Sequence, residues 1–229
     1  MESLEVELER ARALDVGELA DAIESIGFEC TRCGACCTAD EKPGGDETGE
    51  DGATKDPHTA TVFPDEVRTL QEETGEPWRD VARPMPFGLD EDGSGETFEW
   101  ALQTDACGDC TFYAEDESGR GECTVHDERP LICHTYPFSV ALDGTTQPMG
   151  EAVDEAGVVR AHECEGLGRD ISREDAEELA AVLKERAVRE LEEAIGVRDN
   201  YEPVAHDADE TVVYDSEGPK HPDGTPYAE

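Results

Sequence analysis

Lysine is nearly absent from this chain, with four in 229 residues, and positive charge as a whole is scarce. Asp and Glu together number 59 against 18 Lys and Arg, a formal net charge of −41. Such a surface repels the phosphate backbone and anionic lipid, which excludes direct nucleic-acid binding and electrostatic docking on membranes. Large apolar side chains are also few. Leu, Ile, Val and Phe make up 40 of 229 residues, below the level of about one fifth at which disorder becomes the default. Burial alone therefore has difficulty offsetting the about 1–2 kcal/mol of backbone entropy that each ordered residue costs. No apolar run approaches the about 20 residues of a membrane span. The charged N-terminal stretch MESLEVELERARALDVGELA has no signal-peptide core, so the expected location is the cytoplasm. No G-x-S-x-G, G-x-x-x-x-G-K-[ST] or G-x-G-x-x-G occurs, and the carboxylates are too numerous for any pair of them to mark acid–base chemistry.

The charge balance carries an expectation of its own. Self-repulsion on this scale opposes a compact state in dilute buffer, and falls away in molar salt, where the screening length is about 3 Å. An acidic, lysine-poor surface resembles that of halophilic proteins and predicts a salt-rich cytoplasm.

What the chain does have is nine cysteines, at 30, 33, 36, 37, 107, 110, 123, 133 and 164. In a reducing compartment, close cysteines point to metal ligands or redox thiols rather than disulfides, and an odd number cannot all pair. A thin core supplemented by metal cross-links is a consistent combination. Two cysteines separated by two residues can turn both sulfurs toward one centre. Cys30-x2-Cys33-x2-Cys36 extends this to three and matches the opening of the bacterial ferredoxin run, though the fourth, Cys37, follows at once and no proline comes after it. Adjacent side chains tend to point apart, so Cys36 and Cys37 are expected to serve different partners. Cys107 and Cys110 form a second C-x2-C pair, and Cys123, Cys133 and Cys164 bring the count to two four-coordinate sites with one thiol left over. Counting does not decide between one site and two.

The x2, x2 spacing favours an iron–sulfur cluster, of the 4Fe–4S type, over zinc. The two C-x2-C pairs that zinc would use are 73 residues apart, far beyond the about 15–20 of a compact zinc motif. A thioredoxin-type dithiol lacks its βαβ context. Arg32 and Arg129 sit inside the cysteine motifs, where they would stabilise thiolates or form ordinary ion pairs. His126, His134 and His162 lie near cysteines as candidate ligands or hydrogen-bonded neighbours of them. Trp100 and the TYPF segment at 135–138 are expected to pack around the site.

Elsewhere, the spacing predicts an amphipathic helix over 3–26, a solvated acidic insert at 40–57, and a strand at 59–63. A helix opened by Pro64 and closed by Gly75 comes next, then strands at 96–104, 138–144 and 157–164. A helix over 172–196 has Ser172 as its N-cap and Gly196 at its end. The expected class is α+β, with helices bracketing a small irregular cysteine-rich core of short strands organised by metal. Residues 1–198 form one domain, and 199–229 a polar, loosely ordered tail.

Several blocks together resemble the CxxCxxCC cysteine-cluster family of zinc- or iron-chelating proteins, often labelled iron–sulfur oxidoreductases. They are CTRCGACC at 30–37, CTFY at 110–113, C-x-V-H-x-x-R-P-x-x-C at 123–133, TYPF at 135–138 and CEGLG at 164–168. The resemblance implies Cys30, Cys33, Cys36, Cys37, Cys110, Cys123, Cys133 and Cys164 as ligands, with Cys107 an addition to the pattern. A redox or protein partner is expected, and the sequence does not identify it. Three functions follow from these readings: an iron–sulfur electron-transfer protein, a zinc-stabilised interaction module without chemistry, or an enzyme using a cluster on a substrate that no residue here identifies.

Overall fold

The computed structural model describes residues 3–41, 55–142 and 152–227. In chain order the elements are α1 (Leu4–Ala13), α2 (Val16–Ile26), β1 (Asp40–Glu41), β2 (Lys55–Asp56), β3 (Thr61–Val62), α3 (Pro64–Thr74), α4 (Trp78–Val81), β4 (Ala82–Pro84), β5 (Gly95–Phe98) and β6 (Trp100–Leu102). They continue with β7 (Tyr113–Glu115), β8 (Gly121–Cys123), α5 (Leu131–Thr135), β9 (Phe138–Val140), β10 (Ala152–Asp154), β11 (Val159–His162), α6 (Arg173–Asn200), β12 (Thr211–Asp215) and β13 (Gly218–Lys220). The class is α+β, with small sheets and with the N-terminal helices packed on α6. Among the described residues no helix is long and apolar enough to cross a membrane.

Two apolar cores divide the molecule. The first gathers Leu8, Leu19, Ile23, Phe138, Val159, Leu183 and Leu191 from α1, α2, α6 and the sheet β10-β11-β9. Here the expected 3–26 helix is two helices. Asp15 leaves the helical path and accepts a hydrogen bond from the Glu18 backbone N–H at 3.0 Å, capping α2, so a local cap outcompetes continuation. Ser172 caps α6 as expected, accepting from the Asp175 N–H at 3.1 Å. Gly196 does not end α6, which runs on to Asn200. A Cβ at Gly196 would stand 2.7 Å from that of Ser216, so this glycine lets the β12–β13 turn approach the helix.

The second core collects Val62, Val67, Leu70, Trp78, Val81, Trp100, Leu102, Phe112 and Val213. Its sheet β3-β6-β4 is antiparallel. The expected 96–104 strand is broken at Glu99, whose φ of +69° turns the chain out of one sheet and into another. Before the break, β5 pairs in parallel with β12; after it, β6 pairs with β3 and β4. The stretch expected as a loosely ordered tail therefore supplies a sheet strand, with Val212, Val213 and Tyr214 fully buried. Only the ends of the acidic insert, paired as β1 and β2, and Phe138–Leu142 of the 138–144 strand lie within the described residues.

A buried ion pair anchors this terminal sheet. Lys220 Nζ lies 2.7 Å from Asp215 Oδ2 with both side chains almost fully enclosed, and the same carboxylate accepts from Trp100 Nε1 at 2.8 Å. Removing one partner leaves a buried charge uncompensated, a loss of about 3–5 kcal/mol. Lys220→Met is expected at the low end of that range, because Asp215 keeps the Trp100 bond and one from the Glu217 N–H. Urea unfolding at fixed salt checks this, and a loss below about 1 kcal/mol would show the pair contributes no more than a surface one.

Candidate metal centre

Residues 28–37 run between two other cysteine-bearing segments and are held to both by the backbone. On one side Phe28 bridges Leu167, the Glu29 N–H donates to Gly166 O at 3.0 Å, and the Gly168 N–H donates to Gly27 O at 3.0 Å. A side chain at Gly166 would meet Glu29 O at 2.3 Å, so glycine is what allows the Cys164 loop to lie this close. On the other side the Cys110 N–H donates to Cys37 O and the Gly121 N–H to Arg32 O, both at 2.8 Å. Gly34, at φ +80°, turns the chain so that the Cys37 N–H reaches Gly34 O at 2.8 Å, and a Cβ there would strike Tyr113.

That turn settles how the adjacent cysteines point. Their sulfurs are 3.8 Å apart, side by side rather than opposed. Side chains point to opposite faces along an extended strand, but not around a tight turn.

Cys110, Cys123 and Cys133 come from three short elements. Cys110 bridges Thr104, Cys123 lies opposite Tyr113 in the β7–β8 pair, and Cys133 lies in α5. Glu66 fixes α5 to α3, its two carboxylate oxygens accepting from the Leu131 and Phe63 N–H groups at 2.8 and 2.9 Å. Burial raises its pKa against those bonds. In the sequence Glu66 reads only as an acid of the first helical turn, because Phe63 has no side-chain acceptor and only the returning half of a capping box forms. Asp109, between the cysteines of the second C-x2-C pair, accepts from the Ala39 N–H at 2.8 Å and ties the end of the first motif to it.

As whole residues Cys30, Cys33, Cys36 and Cys107 are exposed, Cys37, Cys123, Cys133 and Cys164 half-buried and Cys110 buried, while the sulfurs of Cys36 and Cys133 are more enclosed than their residues. Among the described residues, no three His, Cys, Asp or Glu side chains stand close enough as placed to hold a metal ion. Ligation at about 2.3 Å per sulfur would draw these thiols inward. Burial lifts Cys110 to about 11 and raises Cys123, Cys133 and Cys164, with neighbouring thiols adding to it. Cys36 is pushed far up, first by its contact with Cys37 and then by loss of water. The guanidinium of Arg129 opposes the rise at Cys36 and Cys123. Among the described residues Arg129 forms no ion pair with a carboxylate; its guanidinium meets His126, and its charge favours the thiolate forms of Cys36 and Cys123. Thiols held protonated in this way exchange protons for metal, so loading strengthens as pH rises.

The remaining candidates fall outside this gathering. Cys107 sits on an exposed turn whose N–H donates to Asp105 Oδ1 at 2.7 Å. His126 rests its Nε2 against the Arg129 guanidinium, and His162 is buried with its Nε2 2.8 Å from Ser139 Oγ. Arg32 is exposed and contributes its carbonyl. Trp100, by contrast, is core, edge-on to Trp78 at 5.0 Å, in the same packed cluster as Cys110, Cys37, Cys123 and Cys133.

An α+β fold whose backbone laces the Cys30–Cys37 segment to the Cys164 loop and to Cys110 has the build of a cysteine-cluster domain. The chain belongs to the CxxCxxCC family, described as a "putative zinc- or iron-chelating domain", whose model matches residues 29–165, more than half of its length. Comparison with curated proteins and with solved structures gives no match.

Proposed function

We propose that this is a cytoplasmic protein that holds an iron–sulfur cluster on thiolates of Cys30, Cys33, Cys36, Cys37, Cys110, Cys123, Cys133 and Cys164, and passes electrons to or from a protein partner. The observation that carries this reading is the hydrogen-bonded lacing of residues 28–37 to the Cys164 loop and to Cys110, which lays side by side backbone segments whose cysteines are distant in sequence. The run Cys30-x2-Cys33-x2-Cys36 is ferredoxin-like in spacing and favours iron. A bound cluster supplies a one-electron couple whose potential follows charge, hydrogen bonds to sulfur and exposure. The chain supplies such groups: the Gly166 N–H donates to Cys164 Sγ at 3.4 Å, and Arg129 places a cation beside Cys36 and Cys123. The strongly acidic surface would select a partner with a basic docking face and turn away nucleic acid and anionic membrane.

Zinc on the same thiols would give a scaffold without redox chemistry. Anaerobic purification in high salt, with iron, zinc and acid-labile sulfide measured alongside a visible spectrum, separates the two. Iron with matching sulfide and absorption near about 400 nm is the expected result. Zinc without sulfide would make the protein an interaction module, and neither metal would overturn the metal-binding reading.

A further inference from the structure

We propose that the thiols form two centres rather than one: Cys30, Cys33, Cys36 and Cys164 hold the first, Cys37, Cys110, Cys123 and Cys133 hold the second, and Cys107 belongs to neither. The partition rests on the metal-binding reading above and adds to it the number and composition of the sites.

Packing draws the line. Cys37, Cys110, Cys123 and Cys133 all pack within the second core, beside Phe112 and Tyr113. Cys30 and Cys164 flank the Phe28–Leu167 bridge, and those two apolar residues pack against the first core instead. Each set draws on two or three segments already fixed to one another: the 27–29 backbone to 166–168 for the first, and Cys110 to Cys37, with Cys123 opposite Tyr113, for the second. The seam falls between Cys36 and Cys37. Cys36 is an exposed residue outside the packing of the second core, while Cys37 is half-buried against it. Four thiolates per centre is the usual complement of a closed zinc site or of a cluster.

One competing arrangement fits the 3.8 Å sulfur separation equally well. Two thiolates on a single tetrahedral ion, each bonded at about 2.3 Å, also stand about 3.8 Å apart. Cys36→Ser and Cys37→Ser separate the two. Each variant and the wild type, purified anaerobically in high salt, is assayed for metal per chain and alkylated with iodoacetamide, with every cysteine followed by mass spectrometry. Cys36→Ser is expected to keep about half the wild-type metal, to expose Cys30, Cys33 and Cys164, and to protect Cys37, Cys110, Cys123 and Cys133. Cys37→Ser is expected to do the reverse, with Cys107 labelled in every sample. The same labelled set in both variants, or loss of all metal from a variant that keeps its helicity, would overturn the partition. Where a variant fails to fold, a chelator time course on the wild type decides. Two groups of four becoming reactive at different rates support two centres, and one common rate for all eight overturns them. A wild type without metal, labelled throughout, would instead refute the metal-binding reading itself.

Discussion

Stripping the metal with a strong chelator is expected to dissolve the second core and leave much of the first standing. The difference lies in what each core is made of. The first is framed by helices of 28, 11 and 10 residues, whose backbone hydrogen bonds are local and survive loss of a distant cross-link. Around the second, Cys110 stands in an isolated bridge, Cys123 in a three-residue strand and Cys133 in a five-residue helix. Ordering such segments costs about 1–2 kcal/mol of backbone entropy per residue, with few large side chains to offset it. Structural zinc contributes an apparent 10–16 kcal/mol or so in zinc-finger peptides, which rivals the whole net stability of an ordinary domain at about 5–15 kcal/mol. Both tryptophans, Trp78 and Trp100, are buried in the second core, whereas most helical residues belong to the first. After chelation, tryptophan emission should therefore move to that of water-exposed indole while the larger part of the far-UV helical signal persists. Unchanged emission from a protein verified to be metal-free would show that the second core stands without its cross-link.

The helix ends were legible where a single local interaction fixes them. Pro64 and Gly75 bound α3 and Ser172 starts α6, because each cap is written in neighbouring residues. The break at Leu14–Asp15 was equally local and still missed, since an apolar period running across it looks continuous. The pairing of β12 with β5 was beyond reach for a different reason. It joins residues more than a hundred positions apart in parallel, and nothing near either strand specifies the other. TVVYD at 211–215 did carry a strand signal, a β-branched and aromatic run closed by a turn, but polar surroundings masked it. The cysteines divide in the same way. Their candidacy follows from spacing and from the thinness of the core, both visible along the chain. Their grouping depends on which segments the backbone hydrogen bonds lay side by side, and that is a property of the fold.

Thermal stability should climb steeply with salt, and the size of the effect follows from the charge count. Two like charges about 10 Å apart in water repel by about 0.4 kcal/mol before screening. At 0.1 M salt, where the screening length is about 10 Å, roughly a third of that remains; at 1 M, where it is about 3 Å, almost none does. Acidic groups without a cation are close neighbours across the surface, as in the exposed runs Asp90-Glu91-Asp92 and Glu115-Asp116-Glu117. With an excess of 41 negative charges, some dozens of such pairs are relieved by salt, an effect on the order of 3–5 kcal/mol once residual repulsion in the unfolded chain is allowed for. For a chain of this size that corresponds to a rise in Tm of about 6–20 °C between 0.1 M and molar salt. Salt also weakens favourable pairs, but those present are mostly exposed arginine–carboxylate contacts such as Arg12–Glu192 and Arg198–Glu5, which solvent already screens. The buried Lys220–Asp215 pair is shielded from ions and should be indifferent. The net sign is therefore positive. Melting the metal-loaded protein across a potassium chloride series measures it, and a flat or falling Tm would mean that the acidic surface is held in check by cations bound at fixed sites rather than by screening.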